Sequence, residues 1–280
     1  MSLHESTGAR IAVIKIGGSI LVGLDSYRIA ARFVQQRLAA SAGEHLLVVV
    51  SAQEHATDSL LEEARSIVAE PDCGALDLLW STGEVRSVAM LTLHMQALGL
   101  AAVALSVHET GLRVRDETNN ALVEAEPARI REALSRCAVV IVPGFLGVNQ
   151  RGAIISLGRG GSDLTAVLLA RSLGACRCEL VKDVAGYFSS DPRRDARAAH
   201  LPQLSYNRAI AMANAGCELV QRRALEAAER ASLPLVVCSL DQTAPVSWIR
   251  LVSPGEEKGF VETAMCDSWR EELETTGSEV

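Results

Sequence analysis

Six short stretches of the chain, residues 10–16, 46–50, 101–107, 139–142, 178–181 and 235–238, are almost continuously apolar and do not alternate with polar positions. A strand with apolar side chains on both faces must be covered on both, as in a parallel sheet lying between two layers of helix. The intervening stretches, 27–40, 58–69, 82–98, 127–135, 164–173 and 218–231, instead repeat their apolar residues about every 3.6 positions, the period of a helix with one buried face. In the last of them Val220, Ala224, Ala227, Ala228 and Ala231 form one stripe, while Glu218, Arg222, Arg223, Glu226 and Glu229 face water. Gly99 and Gly174 stand where two of these helices should stop. Because strand and helix alternate along the whole length, the pattern predicts an α/β fold: an open, mostly parallel sheet sandwiched by helices.

The segment Gly144–Gly152 (GFLGVNQRG) breaks the pattern with three glycines and an asparagine. It predicts an N-terminal lobe over 1–150 and a C-terminal lobe over 151–265 sharing one sheet, closed by short strands around 248–252 and 259–264. Residues 266–280, with five acids and one arginine, read as a solvated acidic tail.

Composition narrows the function classes. With 49% apolar and 22% charged residues the chain can bury a core, which excludes disorder as a global description. The net charge of −7, without any block of like charges, argues against a nucleic-acid or anionic-membrane partner, so phosphate chemistry must draw on local cations. Seven scattered cysteines without a CxxC pair fit a reducing compartment, and Cys176 and Cys178, two apart in a predicted strand, read as core in preference to a metal pair. The histidines are dispersed, so no metal site built on them is expected. No apolar run reaches the roughly 18 residues that span a bilayer, and the first ten residues lack a signal-type apolar segment. The expectation is a soluble, cytoplasmic protein.

Three glycine-containing loops follow predicted strands, where open α/β sheets place their ligands. In Lys15-Ile16-Gly17-Gly18-Ser19 the glycines let successive backbone N–H groups converge on an anion beside the Lys15 ammonium; a plain turn with an exposed lysine is the alternative. In Leu157-Gly158-Arg159-Gly160-Gly161-Ser162-Asp163 a glycine-rich bend feeds a helix N-terminus. It offers free amides, a dipole end, a carboxylate clamp in Arg159 and a helix cap in Ser162 or Asp163. Neither a P-loop nor a dinucleotide-binding fingerprint is present. The third loop, Lys182–Arg193, collects an acid, two aromatic rings, hydroxyls and an arginine, either as the wall of a nucleotide pocket or as a turn at Asp191-Pro192.

Taken in order, VIKIGGS (13–19), VVVSA (48–52) with Thr57-Asp58, STGE (81–84), VPGFLG (142–147), LGRGGSDLT (157–165) and KDVAGYFSSDPR (182–193) resemble the amino acid kinase superfamily, and within it the catalytic domain of aspartokinases. The resemblance implies ATP-dependent phosphorylation of the side-chain carboxylate of L-aspartate, with Mg²⁺ entering on ATP and a homo-oligomer, a dimer, as the assembly. It implies Lys15 and Asp163 as the catalytic pair and Ser19, Thr57, Glu84, Arg159 and Ser162 around the acceptor. Lys15, Gly17, Gly18, Lys182, Asp183, Phe188 and Arg193 fall at the nucleotide, and no protein ligand contacts the metal directly. It leaves two other readings open: a different small acidic acceptor (carboxylate, carbamate, phosphonate or phosphate), or a weakly active nucleotide-binding paralogue.

This chain departs from the family pattern at identifiable places. Ser19 and Ile20 replace a threonine and a serine, the loop after the second strand lacks its glycine, and Lys182 replaces a threonine. Glu218 occupies the position of a phosphate-facing lysine, for which Arg222 or Arg223 would have to substitute. The small-molecule-binding ACT modules of the family's regulatory half are not expected among these 280 residues, of which 42 follow Cys238.

Overall fold

The computed structural model describes residues 10–115 and 123–252. The acidic tail and the strand expected at 259–264 lie outside them. Along the chain the strands are β1 Arg10–Ile16, β2 Glu44–Val50, β3 Ala102–Ala104, β4 Leu112–Val114, β5 Val123–Ala125, β6 Val139–Pro143, β7 Leu146–Asn149, β8 Ile154–Ser156, β9 Cys178–Val181, β10 Tyr187–Phe188, β11 His200–Leu201, β12 Gln203–Leu204, β13 Leu235–Cys238 and β14 Ser247–Ile249. The helices are α1 Leu24–Ala40, α2 Ala56–Ile67, α3 Cys73–Ala97, α4 Ala128–Leu134, α5 Gly161–Leu173, α6 Tyr206–Asn214 and α7 Arg222–Arg230.

Eight strands form the main sheet in the order β12-β14-β13-β9-β1-β2-β6-β3, parallel except where β14 runs against β13. Both faces are covered, as the continuous apolar runs require. The period of two along β1 sends Ala12, Ile14 and Ile16 into a core with residues of α1 and α3, and sends Val13 into the opposite core, built on α5, α6 and α7. Lys15 shares the face of Val13, so the same alternation carries its ammonium to the α5 side of the sheet.

Register then sets the site. Ile16 pairs with Val50 and with Val181, Val50 pairs with Pro143, and Val181 pairs with Cys238. Five parallel strands therefore end level with one another, and the loops that follow them open on one edge, at β1, where the chain order turns from β2 on one side to β9 on the other.

Several boundaries differ from the sequence expectation. Helix α3 begins at Cys73, well before 82, because the Asp72 carboxylate accepts the Ala75 N–H at 3.0 Å and caps the helix there. Helix α7 starts only at Arg222, so Glu218 lies in the turn before it. The strand expected over 101–107 stops at Ala104, since Glu109 turns back to accept the Ser106 N–H and hydroxyl at 2.9 and 2.8 Å and closes a short helical turn. Cys178 opens β9 in the core, but Cys176 lies outside the strand and is only half-buried. Helix α6, capped by Ser205, and a second sheet of order β5-β4-β7-β8 were not predicted. Strand β7 and most of the β7–β8 turn occupy the Gly144–Gly152 interruption.

At the opposite end of the strands lies a buried ion network. Arg177 grips both oxygens of Glu44 at 2.7 Å and donates to Glu179 at 2.7 Å, and Arg37 meets the other oxygen of Glu179 at 3.0 Å. Burial alone would raise the Glu44 pKa, but hydrogen bonds and charge from Arg177 bring it below the usual carboxylate range. The acids, on β2 and β9, are matched by Arg177 just before β9 and by Arg37 on α1, which marks the network as structural.

Candidate active site

The level strand ends surround a cavity of about 360 Å³. Its floor is a chain of three charges. The Lys15 ammonium lies 2.9 Å from one Asp163 oxygen and the Lys182 ammonium 2.8 Å from the other. The lysines come from the ends of neighbouring strands, β1 and β9, and the aspartate from the first turn of α5, directly over them. Asp163 is almost fully buried; burial alone would raise its pKa, but the two ammonium groups outweigh that and hold it well below the ordinary carboxylate range. Lys182 is pulled down, first by burial and then by Lys15, with Asp163 opposing both. With two cations on one carboxylate, the floor retains a net positive charge in a place with little water, where charge acts strongly.

Two helices aim their N-termini at this floor. Helix α5 starts after Gly160, whose φ of +73° needs a residue without Cβ, and a Cβ there would in any case lie 1.8 Å from the Gln221 side chain. Gly160 itself is the cap residue and no side chain caps the helix, so Ser162 and Asp163 sit inside the first turn instead of capping it as the sequence suggested. Helix α2 starts after His55, also without a side-chain cap, and its Thr57 and Asp58 line the cavity. Both dipoles favour an anion between them.

Glu84, on α3, is buried in the wall, and one of its carboxyl oxygens has no hydrogen-bond partner among the described residues. Burial pushes its pKa up to about 8 against the opposing pull of the Ala52 N–H and Lys15. A buried carboxyl with a free oxygen on a cavity is suited to receive a cationic group.

Of the residues singled out from sequence, Lys15, Gly18, Ser19, Thr57, Glu84, Ser162, Asp163 and Lys182 all line this cavity. Gly17 lies behind it, and a Cβ there would come within 3.3 Å of the Lys15 ammonium. Asp183, Phe188 and Arg193 line a separate adjoining cleft of about 200 Å³, where Arg193 pairs with Asp183. Glu218 borders both spaces. Arg159 is exposed and is not part of either lining. Arg222 pairs with Glu226 on the outer face of α7 at 2.6 Å and Arg223 donates to the Leu157 carbonyl at 3.1 Å, so neither reaches the floor to replace a cation at position 218. Sequence reasoning missed the lining residues Glu54, His55, Phe145 and Gln221. Phe145 sat inside the noticed VPGFLG segment, and Gln221 lay between Glu218 and Arg222, in a stretch matched to the family's phosphate-facing segment, without being singled out itself.

Residues 10–239 match the sequence profile of the Amino acid kinase family. An aspartokinase of Thermus thermophilus is 35% identical over 257 residues, covering 91% of this chain and 63% of that protein. This chain thus spans somewhat under two thirds of that relative's length. The crystal structure of aspartate kinase from Synechocystis superposes with a TM-score of 0.76 at 31% identity, over 87% of this chain and 40% of that one. E. coli aspartokinase III, crystallised with aspartate and ADP, shares the fold at a TM-score of 0.71 and 24% identity, over 87% and 66% of the two chains. With the profile match running from β1 through β13, the chain belongs to the amino acid kinase family.

Proposed function

We propose that this protein transfers the γ-phosphoryl group of MgATP to the side-chain carboxylate of L-aspartate, forming an acyl phosphate. The observation that carries the reading is the Lys15–Asp163–Lys182 floor beneath two converging helix N-termini. A side-chain carboxylate, with a pKa of about 4, is already ionised at neutral pH and needs no general base. What opposes reaction is the approach of one anion to another. The lysines and helix amides offset that repulsion and hold the charge that develops on the transferred group. Asp163 takes no proton; it fixes both ammonium groups in place, one on each oxygen. Glu84 would receive the substrate ammonium, and Thr57, Ser19 and Ser162 line the same space. Asp183, Phe188 and Arg193 would hold the nucleotide in the adjoining cleft. Arg159 would have to turn inward from the rim to clamp a carboxylate. The 35% identity to an aspartokinase over most of this chain supports the same reading.

Mg²⁺-dependent turnover of ATP with L-aspartate, trapped with hydroxylamine as a hydroxamate, tests this reading. The panel includes other carboxylates, a carbamate and phosphonates, because the exposed Arg159 leaves the acceptor carboxylate without an arginine in the cavity lining. Turnover with one of those and none with aspartate overturns the acceptor assignment.

A second expectation follows from Glu84. If it binds the acceptor ammonium as a carboxylate, a pKa of about 8 makes it mostly protonated at pH 7. The acceptor KM should then fall as pH rises, by about tenfold per unit between pH 6 and 7.5, and level off above the pKa. Glu84→Gln should bind the acceptor weakly and lose this dependence. A wild-type KM that is flat over the same range would remove Glu84 from the ammonium site.

A further inference from the structure

From the contacts around Trp80 we infer that it is a positioning residue that sets the width of the acceptor cavity and reports its occupation; the inference rests on the functional reading above. Trp80 is half-buried on α3, one helical turn before Glu84, and it does not itself line the cavity. It touches the two other walls that do. Its indole Nε1–H donates to the backbone carbonyl of Thr57 at 3.0 Å, at the N-terminal turn of α2. Its ring meets that of Phe145 edge-on, with centroids 5.9 Å apart and planes at 68°.

Phe145 is itself held in an unusual state. Its φ of +67° is left-handed, costly for an aromatic residue unless its surroundings hold it there. It lines the cavity and lies against the glycine loop: a Cβ on Gly161 would be 3.0 Å from its ring and 3.3 Å from its Cα. Beside it, a Cβ on Gly144 would fall 2.7 Å from that of Ser162. The turn after β6 is thus pressed onto the first turn of α5, which carries Ser162 and Asp163. Through Trp80 the Glu84 helix, the Thr57 helix and the Phe145 turn hold one another at fixed distances. The nucleotide cleft, lined by residues 183–193 and 217–219, shares none of these contacts.

This asymmetry separates positioning from plain stability. Trp80→Phe keeps an aromatic edge for Phe145 and removes the N–H donor; Trp80→Leu removes both. In Trp80→Phe the acceptor KM should rise about fivefold, the size of one lost hydrogen bond, with the ATP KM and kcat within twofold of wild type. Trp80→Leu should raise it further. In a Trp248→Phe/Trp269→Phe background, where Trp80 is the remaining tryptophan, acceptor should change the fluorescence saturably and at its own KM. The measurements use L-aspartate, or, should wild type reject aspartate, whichever panel compound it phosphorylates. Failure of the functional reading therefore appears in the wild type, and failure of this inference only in the variants. Unchanged acceptor KM in both variants, equal rises in the acceptor and ATP KM values, or a fall in melting temperature with both KM values intact would overturn the role assigned to Trp80.

Discussion

Lys15→Ala is expected to lower kcat by about 10² or more, roughly 2.7 kcal/mol of transition-state stabilisation, while the KM for ATP and acceptor change much less. The reason lies in where the charge is needed. On the proposed reading the nucleotide phosphates would be shared in the ground state among the adjoining cleft, the helix N-termini and Mg²⁺, whereas charge on the group in flight would fall at the floor of the cavity, where Lys15 sits. The ammonium is fixed there beforehand by Asp163 at 2.9 Å, so it need not reorganise as the reaction proceeds. The variant should stay folded, because Asp163 keeps Lys182 at 2.8 Å and is not left as a lone buried charge. Steady-state kinetics alongside thermal melting separate the two effects. A kcat unaffected by the substitution would remove Lys15 from the chemistry and with it the proposed mechanism.

The six strands and most of the helices were legible because each wrote a strong local signal. β1, β9 and β13 are mostly apolar runs, broken by Arg10, Lys15 and Glu179, whose limits coincide with those observed. Glycine-rich loops at strand ends marked the candidate site, since open sheets of this kind place ligands at the carboxyl ends of their strands. What could not be read depends on tertiary context. The first nine residues of α3 contain Gly74 and lack a clean stripe; the Asp72 cap and the Trp80 contact with α2 at Thr57 hold them in the helix. The second sheet consists of strands of three or four residues, too short to show a period. The joining of Lys15, Asp163 and Lys182, far apart in sequence, follows from the register of β1 against β9 and from α5 lying over both. The resemblance put both Lys182 and Glu218 near the nucleotide phosphates, the first as a departure from a threonine and the second as a loss of charge, but gave no sign that Lys182 shares the Asp163 carboxylate with Lys15.

That shared carboxylate yields the other large effect. Lys182→Thr should reduce kcat/KM for ATP by about 10², since it removes one of two cations from a buried phosphoryl site and leaves Asp163 to draw charge from Lys15 alone. Restoring a lysine on the opposite wall tests whether the position of the second cation matters or only its presence. Glu218 is exposed between the cavity and the adjoining cleft, and a lysine there, on a flexible stem, would face the path proposed for the phosphates. Glu218→Lys in the Lys182→Thr background is therefore expected to recover at least about tenfold of the lost kcat/KM, whereas Glu218→Lys in the wild type, where the floor already holds two cations, should change it by less than about threefold. The two substitutions would then be strongly non-additive, as groups acting on one charge should be. If Lys182→Thr is without effect, Lys182 is a structural partner of Asp163 and no more. If the double variant is no better than Lys182→Thr alone, the second cation must sit on β9 for the phosphoryl group to feel it, and a cation on the Glu218 wall cannot take its place.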